Sequence, residues 1–392
     1  MSEIGIGLVG YKFMGRAHSN AWRQVARFFD VDPVPRLRAV AGRDEANVRA
    51  AAEQLGWEGY ETSYQRLLER DDIHLIDVCA PGNAHHDIAI AALQAGKHVL
   101  CEKPLANTLD QAREMVEVAE ASGKVNMVCF NYRRAPAVQL AKKLISEGRI
   151  GQVRHWRAVY LQDWILDPQF PLVWRLQKDL SGSGALGDIA AHIIDLSQFL
   201  VGPITEVIGT LNTFIKERPL EQASAGGGLQ ASASTEMGQV TVDDSTTFLA
   251  RFENGATGTF EATRLAPGRR NFNSFEINGS EGSVIFNLER LNELQVYLTS
   301  DPEDVQGFRT VNVTEPVHDY ASAWWPPGHI IGYEHSFVHT VKDLLEGVKA
   351  NQSPAPTFAD GYACQAVLDA VEQSASNRQW ASVQTLPVAV SR

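Results

Sequence analysis

Ile4-Gly5-Ile6-Gly7-Leu8-Val9-Gly10-Tyr11-Lys12-Phe13-Met14-Gly15 is the stretch whose reading decides the fold class. Residues 4–9 are short and apolar, as a buried strand is, and residues 14–27 read as a helix. A glycine turn that leaves a strand and opens a helix presents N–H groups at the helix N-terminus, where a pyrophosphate binds. Gly10, Lys12, Phe13, Met14 and Gly15 are therefore candidate dinucleotide contacts. Lys12 stands where the GxGxxG pattern has its middle glycine, so the turn is either a variant of that seat or a merely structural corner. If the backbone keeps its path, the Lys12 ammonium can neutralise phosphate charge.

Outward from this turn the two periods alternate. Residues 37–41, 75–79, 98–101 and 125–130 read as strands, and 45–55, 64–69, 87–95 and 109–122 as helices. Strand–helix alternation with short connections predicts an α/β, doubly wound parallel sheet over residues 1–130. An acidic residue is expected at the end of the second strand when a ribose 2′-hydroxyl is read. Gly42 stands there instead, followed by Arg43 and Asp44. Arg43 can hold a 2′-phosphate, stack on adenine or merely sit on the surface, and Asp44 can still reach a ribose. The choice between NAD and NADP stays open.

After residue 137 the pattern changes. A helix at 138–147 leads to a strand at 153–162, a helix at 188–200, and strands at 205–214, 240–252, 256–263, 273–279, 282–287 and 294–298. The turns Glu253-Asn254-Gly255 and Gly279-Ser280-Glu281-Gly282 have hairpin spacing, which predicts a large, open, mostly antiparallel sheet in a second domain over 131–392. Residues 222–239 are small, polar and glycine-rich and are expected to form a flexible surface loop. Helices at 332–346 and 358–376 are expected to pack back on the body of the protein.

Composition narrows the function classes. With 35 Lys plus Arg against 47 Asp plus Glu, the formal net charge is −12, which argues against a nucleic-acid or anionic-membrane surface. Hydrophobic residues make up 44%, enough for sizeable cores, yet no apolar run approaches the ~18–20 residues that span a bilayer. The opening residues have no basic n-region or cleavage site like a secretory leader's and read instead as the first strand of a domain. Cys79, Cys101, Cys129 and Cys364 form no CxxC pair, so neither a disulfide framework nor structural zinc is expected, and a cytoplasmic location is.

Two further motifs carry chemistry. Glu102-Lys103-Pro104 closes the strand 98–101, at the carboxyl end where such sheets open onto their ligand. Pro104 rigidifies the turn, and an ammonium fixed at Lys103 can hydrogen-bond a substrate oxygen and favour its alkoxide. In Gly187-Asp188-Ile189-Ala190-Ala191-His192-Ile193-Ile194-Asp195, Asp188 and His192 are four apart and share a helical face, with Asp195 placed to sit behind the histidine. A histidine there suits proton removal from an alcohol. The alternatives are an N-capping Asp188 with a core His192, or a metal pair for which no third ligand is evident, so no metal is expected.

In the segments 7–22 (GLVGYKFMGRAHSNAW), 81–108 (PGNAHHDIAIAALQAGKHVLCEKPLANT) and 184–196 (GALGDIAAHIIDL) the chain resembles the Gfo/Idh/MocA oxidoreductases, the glucose–fructose oxidoreductase and inositol dehydrogenase relatives. That resemblance implies a Rossmann domain, a C-terminal α/β domain whose open sheet mediates a homo-oligomer (dimer or tetramer), and NAD(P)-dependent oxidation of a secondary hydroxyl on a sugar, anhydrosugar or polyol. It implies Lys103, Asp188 and His192 as the functional triad beside the nicotinamide, with His192 the acid–base. It also implies cofactor contacts from Pro81, Asn83, His86 and Glu102. Tyr132, Arg133, Trp164, Trp174, Arg175 and Trp325 supply the flat apolar faces and hydroxyl-binding groups that a sugar pocket needs, or else pack the core. The same resemblance leaves room for a glycosidase that retains NAD, or for a non-catalytic sugar sensor.

Overall fold

The computed structural model describes residues 2–222 and 232–386. It divides into two compact units, one of residues 1–131 with 332–362 and one of residues 132–331 with 363–392.

In the first unit the chain runs β1 (Glu3–Val9), α1 (Phe13–Phe28), β2 (Val34–Ala41), α2 (Glu45–Leu55), β3 (Tyr60–Glu61), α3 (Tyr64–Leu68), β4 (Leu75–Val78), α4 (His85–Gln94), β5 (His98–Cys101), α5 (Leu109–Ser122) and β6 (Asn126–Val128). The strands form one parallel sheet in the order β3-β2-β1-β4-β5-β6. The order reverses between β1 and β4, and in such sheets the crevice at that reversal is the ligand seat. Helices stop where the chain can turn. Gly56 and Gly123 end α2 and α5 in the left-handed region, and Thr108 caps α5 through the Gln111 N–H. The helix Tyr333–Ala350 belongs to this unit, fastened by hydrogen bonds from Asn131 to Ser336 and from Val128 N to Pro356 O.

The second unit contains α6 (Pro136–Ser146), β7 (Val153–Leu161), α7 (Lys178–Ser181), a π-helical turn at Leu186–Ala190 and α8 (Ala191–Leu200). Strands β8 (Ile204–Asn212), β9 (Glu217–Glu221), β10 (Ala233–Gln239), β11 (Ser245–Phe252), β12 (Thr257–Thr263), β13 (Phe272–Gly279), β14 (Gly282–Asn287), β15 (Glu293–Leu298), β16 (Arg309–Asn312) and β17 (Ala381–Ser382) follow. Nine of them make one sheet, β16-β15-β14-β13-β7-β12-β11-β8-β17, antiparallel throughout except for the β7–β12 pair. Its buried face carries Trp156 stacked on Phe275 and Phe248 stacked on Phe260, with ring centroids 5.0 and 4.4 Å apart. The α/β class, the parallel sheet and the large antiparallel sheet all follow the sequence reading.

Two expectations are corrected here. Residues 240–244 do not extend β11: Val240 and Val242 are buried in a separate cluster with Ile165, Leu172, Val173 and Leu176, which imitates strand alternation. Asp243 and Asp244 turn their carboxylates onto the N–H groups of Gly184, Leu186, Phe214 and Ile215 and draw the backbone out of the ladder. The polar loop expected at 222–239 is, over Ala233–Gln239, the strand β10 paired with β9. Gly238 has no side chain there because a Cβ would lie 2.6 Å from both Leu172 and Leu220. Residues 223–231 of that segment lie outside the described residues.

Burial, reinforced by the charge of Lys124 and by His74, lowers the His98 pKa to about 4. Its neutral Nδ1 accepts the Val125 N–H at 3.0 Å. Between about pH 6.5 and 4 the unfolded chain therefore binds the extra proton, so stability is full above that window and falls as the pH drops through it. Urea unfolding followed across this range should show the fall, and His98→Asn, which keeps an acceptor without titrating, should flatten it.

Candidate active site

The turn after β1 is built by exclusion. Gly10 has φ +97°, and a Cβ on Gly15 would stand 2.1 Å from the Gly10 carbonyl oxygen, so helix and strand approach more closely than any other residue allows. Lys12 is the N-cap of α1, exposed, with φ −76°, an ordinary value for an L-residue; no side chain caps the first turn. The lysine in the middle position therefore leaves the backbone path intact, and the N–H groups of the first turn fit a pyrophosphate. Phe13 and Met14 begin the helix, Phe13 about half exposed.

Beyond β2, a Cβ at Gly42 would stand 2.2 Å from Cε1 of Tyr11. The tyrosine ring thus fills the place from which an acidic side chain would read a ribose. Arg43 is exposed, and Asp44 caps α2, accepting the Asn47 N–H at 2.9 Å.

After β4, Pro81 precedes a short 3-10 turn at Gly82–Ala84 in which Asn83 is exposed. His86 points to Asp87 and Glu114, at 2.8 Å each. Its neighbour His85 is the buried one, with Nδ1 on Pro104 O and Nε2 on Ala80 O, both at 2.9 Å. Burial holds the His85 pKa below the usual value despite those two carbonyls. His85 thereby braces the loop after β5 against the loop after β4. The Lys103–Pro104 bond is cis, and Lys103 is partly buried.

Sequence reasoning missed the densest polar cluster of this unit. His18, on α1 and fully buried, has Nδ1 2.9 Å from both Asp77 oxygens and Nε2 2.9 Å from Glu102 Oε1. Trp22 donates to Asp77 at 2.7 Å, and Cys129 Sγ lies 3.5 Å from His18 Nε2. Burial works against charge on His18, but Asp77 together with Cys79 and Cys129 outweighs it and raises the pKa well above the usual value. Burial likewise works against an ionised Glu102, and the His18 hydrogen bond and charge overcome it. His18 with Asp77 and Cys79, or with Glu102 and Cys129, could reach a common ion; each ring nitrogen instead faces a carboxylate at hydrogen-bond length.

In the second unit His192 is buried, its ring packed on Tyr132 and Tyr160 with centroids 4.6 and 5.8 Å away. The two tyrosine hydroxyls are 3.1 Å apart, and Tyr160 donates to Asn271 Oδ1. Gln162 donates to the same oxygen and accepts from Trp164. This chain of bonds joins two of the aromatic residues chosen from sequence. Asp188 lies in the π-helical turn that leads into α8, the helix that carries His192. Its carboxylate is 3.4 Å from the fully buried Arg264, which also donates to the carbonyls of Arg175 and Asp243. Arg264 lies on the segment after β12, with no local motif to mark it.

Asp195, expected behind His192, pairs with Arg133 through a two-pronged ion pair at 2.6 and 2.9 Å, both side chains buried. That pair holds the guanidinium fork assigned from sequence to a substrate hydroxyl. The Arg175 guanidinium stacks on the Trp174 ring at 4.3 Å. Trp325 is about half exposed and lines a shallow hollow with Trp324, Asn292 and His329.

Comparison with known proteins adds to this geometry. Residues 4–130 match the model of an oxidoreductase family with an NAD-binding Rossmann fold, and residues 138–285 match the GFO/IDH/MocA C-terminal domain. Levoglucosan dehydrogenase of Pseudarthrobacter phenanthrenivorans is 44% identical over 98% of this chain and 99% of its own. A crystal structure of an oxidoreductase domain protein from Kribbella flavida superposes with a TM-score of 0.93 at 54% identity, covering 98% of this chain and 100% of that one. Levoglucosan dehydrogenase in complex with NADH and levoglucosan superposes with a TM-score of 0.92 at 43% identity, with the same coverage.

The approach to the π-helical turn is as tight as the glycine turn, since a Cβ on Gly184 would stand 1.8 Å from Asp243 O. Gly184→Ala should lower the unfolding free energy in urea by about 1–3 kcal/mol. Gly307→Ala, where nothing lies within 4 Å, should change it by less than about 0.5 kcal/mol.

Proposed function

We propose, from the premise that this chain belongs to the GFO/IDH/MocA oxidoreductase family, that it oxidises a secondary hydroxyl of levoglucosan or a closely related anhydrosugar with NAD. The observation that carries this reading is the full-length likeness, in sequence and in fold, to a levoglucosan dehydrogenase whose solved complexes hold NADH and levoglucosan. Preference for NAD over NADP is supported by the NADH held in the solved complexes of that levoglucosan dehydrogenase.

Bound nicotinamide supplies the hydride acceptor. The first turn of α1 binds the pyrophosphate, and the ends of β4 and β5, braced by His85 and Glu102, flank the reactive ring. His192 takes the proton from the substrate hydroxyl, its ring plane fixed by Tyr132 and Tyr160. The Lys103 ammonium donates to the oxygen as negative charge builds on it. Asp188, paired with the Arg264 guanidinium, orients the sugar or the histidine. Proton removal by a positioned base is worth about 10²–10⁴-fold. His192→Ala should therefore reduce turnover on levoglucosan by at least about a hundredfold, with NADH affinity from fluorescence titration near that of the parent. Unchanged turnover would remove His192 from the mechanism, sugar release without nicotinamide reduction would replace it by the glycosidase, and a parent protein that binds NADH and sugar without turnover would be the sensor.

A homo-oligomer through the large sheet is part of the same reading. Alternate residues of the outer face are exposed, including Thr247, Leu249 and Arg251 on β11 and Thr257, Thr259 and Glu261 on β12, and Leu249 is 48% exposed. A second copy of this chain covers that face. Light scattering should report a dimer or tetramer, and Leu249→Asp should shift it toward monomer. All four cysteines are free, which accords with a cytoplasmic enzyme, and among the described residues no helix is long and apolar enough to cross a membrane.

A further inference from the structure

We propose that His18, which no part of the mechanism above uses, is a positioning residue for the cofactor: one imidazolium that locks the pyrophosphate end of the site to its reactive end. The inference rests on the dehydrogenase reading and deepens it.

The argument begins with proton counting. Both ring nitrogens of His18 stand 2.9 Å from carboxylate oxygens, Asp77 on one side and Glu102 on the other. Ionised carboxylates only accept, and a neutral imidazole has a single N–H. One of the two contacts would then set a ring lone pair against an anion in a site closed to water. The imidazolium satisfies both with charge-assisted bonds.

The second step is where these three residues stand. His18 is one turn beyond Gly15 on α1, the helix whose first turn seats the pyrophosphate. Asp77 lies on β4, the strand across the sheet's reversal from β1 and next to β5, and is held from its other side by Trp22 at 2.7 Å. Glu102 directly follows β5, and its second oxygen accepts the Lys103 N–H at 3.1 Å. A continuous path of hydrogen bonds thus runs from the pyrophosphate helix to the backbone of the lysine at the reacting centre. The Phe337 ring, 5.3 Å from the imidazole, closes the cluster. Without the central cation two buried carboxylates would face each other, and the turn that carries Glu102 and Lys103 would lose its anchor.

The test uses the full-length protein and NADH itself, titrated by fluorescence, with thermal unfolding measured alongside. His18→Gln should weaken NADH binding at least tenfold. Glu102→Gln should weaken it too, and the double variant should lose less than the product of the two single losses, because both act through one bond. Nitrogen NMR of the histidine-labelled parent should show both His18 ring nitrogens protonated at neutral pH, a reading independent of any variant's folding. Losses that multiply, a changed melting temperature with unchanged NADH affinity, or a singly protonated ring would each overturn the proposal. Failure of the parent to bind NADH would instead overturn the dehydrogenase reading beneath it.

Discussion

The first unit depends on a contact that only an absent side chain permits. Because Gly15 has no Cβ, α1 settles onto the carbonyl of Gly10 at the end of β1. That approach fixes the rotation of the helix about its own axis. His18, Ser19 and Trp22 then point into the sheet, where Asp77 and Glu102 wait at the ends of β4 and β5. A residue with a side chain at 15 would lift the helix and part the imidazole from both carboxylates at once. The same steric economy creates the phosphate seat and the buried charge network, so neither can be altered without disturbing the other.

The second unit meets a different constraint. A histidine and an aspartate four residues apart share one side of a regular helix, and here the aspartate lies in a π-helical turn that leads into α8. The Asp188 carboxylate meets Arg264, a guanidinium with no exposed surface that also reaches two backbone carbonyls. Asp243 closes the turn by accepting the N–H groups of Gly184 and Leu186. Burial raises the Asp243 carboxyl pKa while Arg264 and those two N–H groups draw it back down. The buried charges of Arg264 and Asp243 are thus met by an opposite charge or by backbone dipoles.

Most of the architecture was legible because it is local. Alternating periods, the glycine turns and the hairpin spacings each involve a few neighbouring residues, and the helices at 45–55 and 109–122 begin and end where the sequence says. The reading was weakest where meaning comes from distant partners. His18 lay in plain view inside a quoted motif, yet its partners are 59 and 84 residues away, and nothing beside it in the chain announces them. Arg264, 76 residues from Asp188, is invisible for the same reason. Residues 240–244 mislead in the opposite way, since alternating valines look like a strand until two aspartates turn the backbone aside.

The pairing of Tyr11 with Gly42 has a consequence for how coenzyme preference could change over descent. An acidic side chain at 42 would collide with the aromatic ring at 11, so that substitution arriving first is a steric fault rather than a gain. Tolerating the acid therefore requires the ring to turn aside or to be replaced by a smaller residue. The side chain that residue 42 can carry is thus coupled to the residue at 11, and the two positions act as a pair.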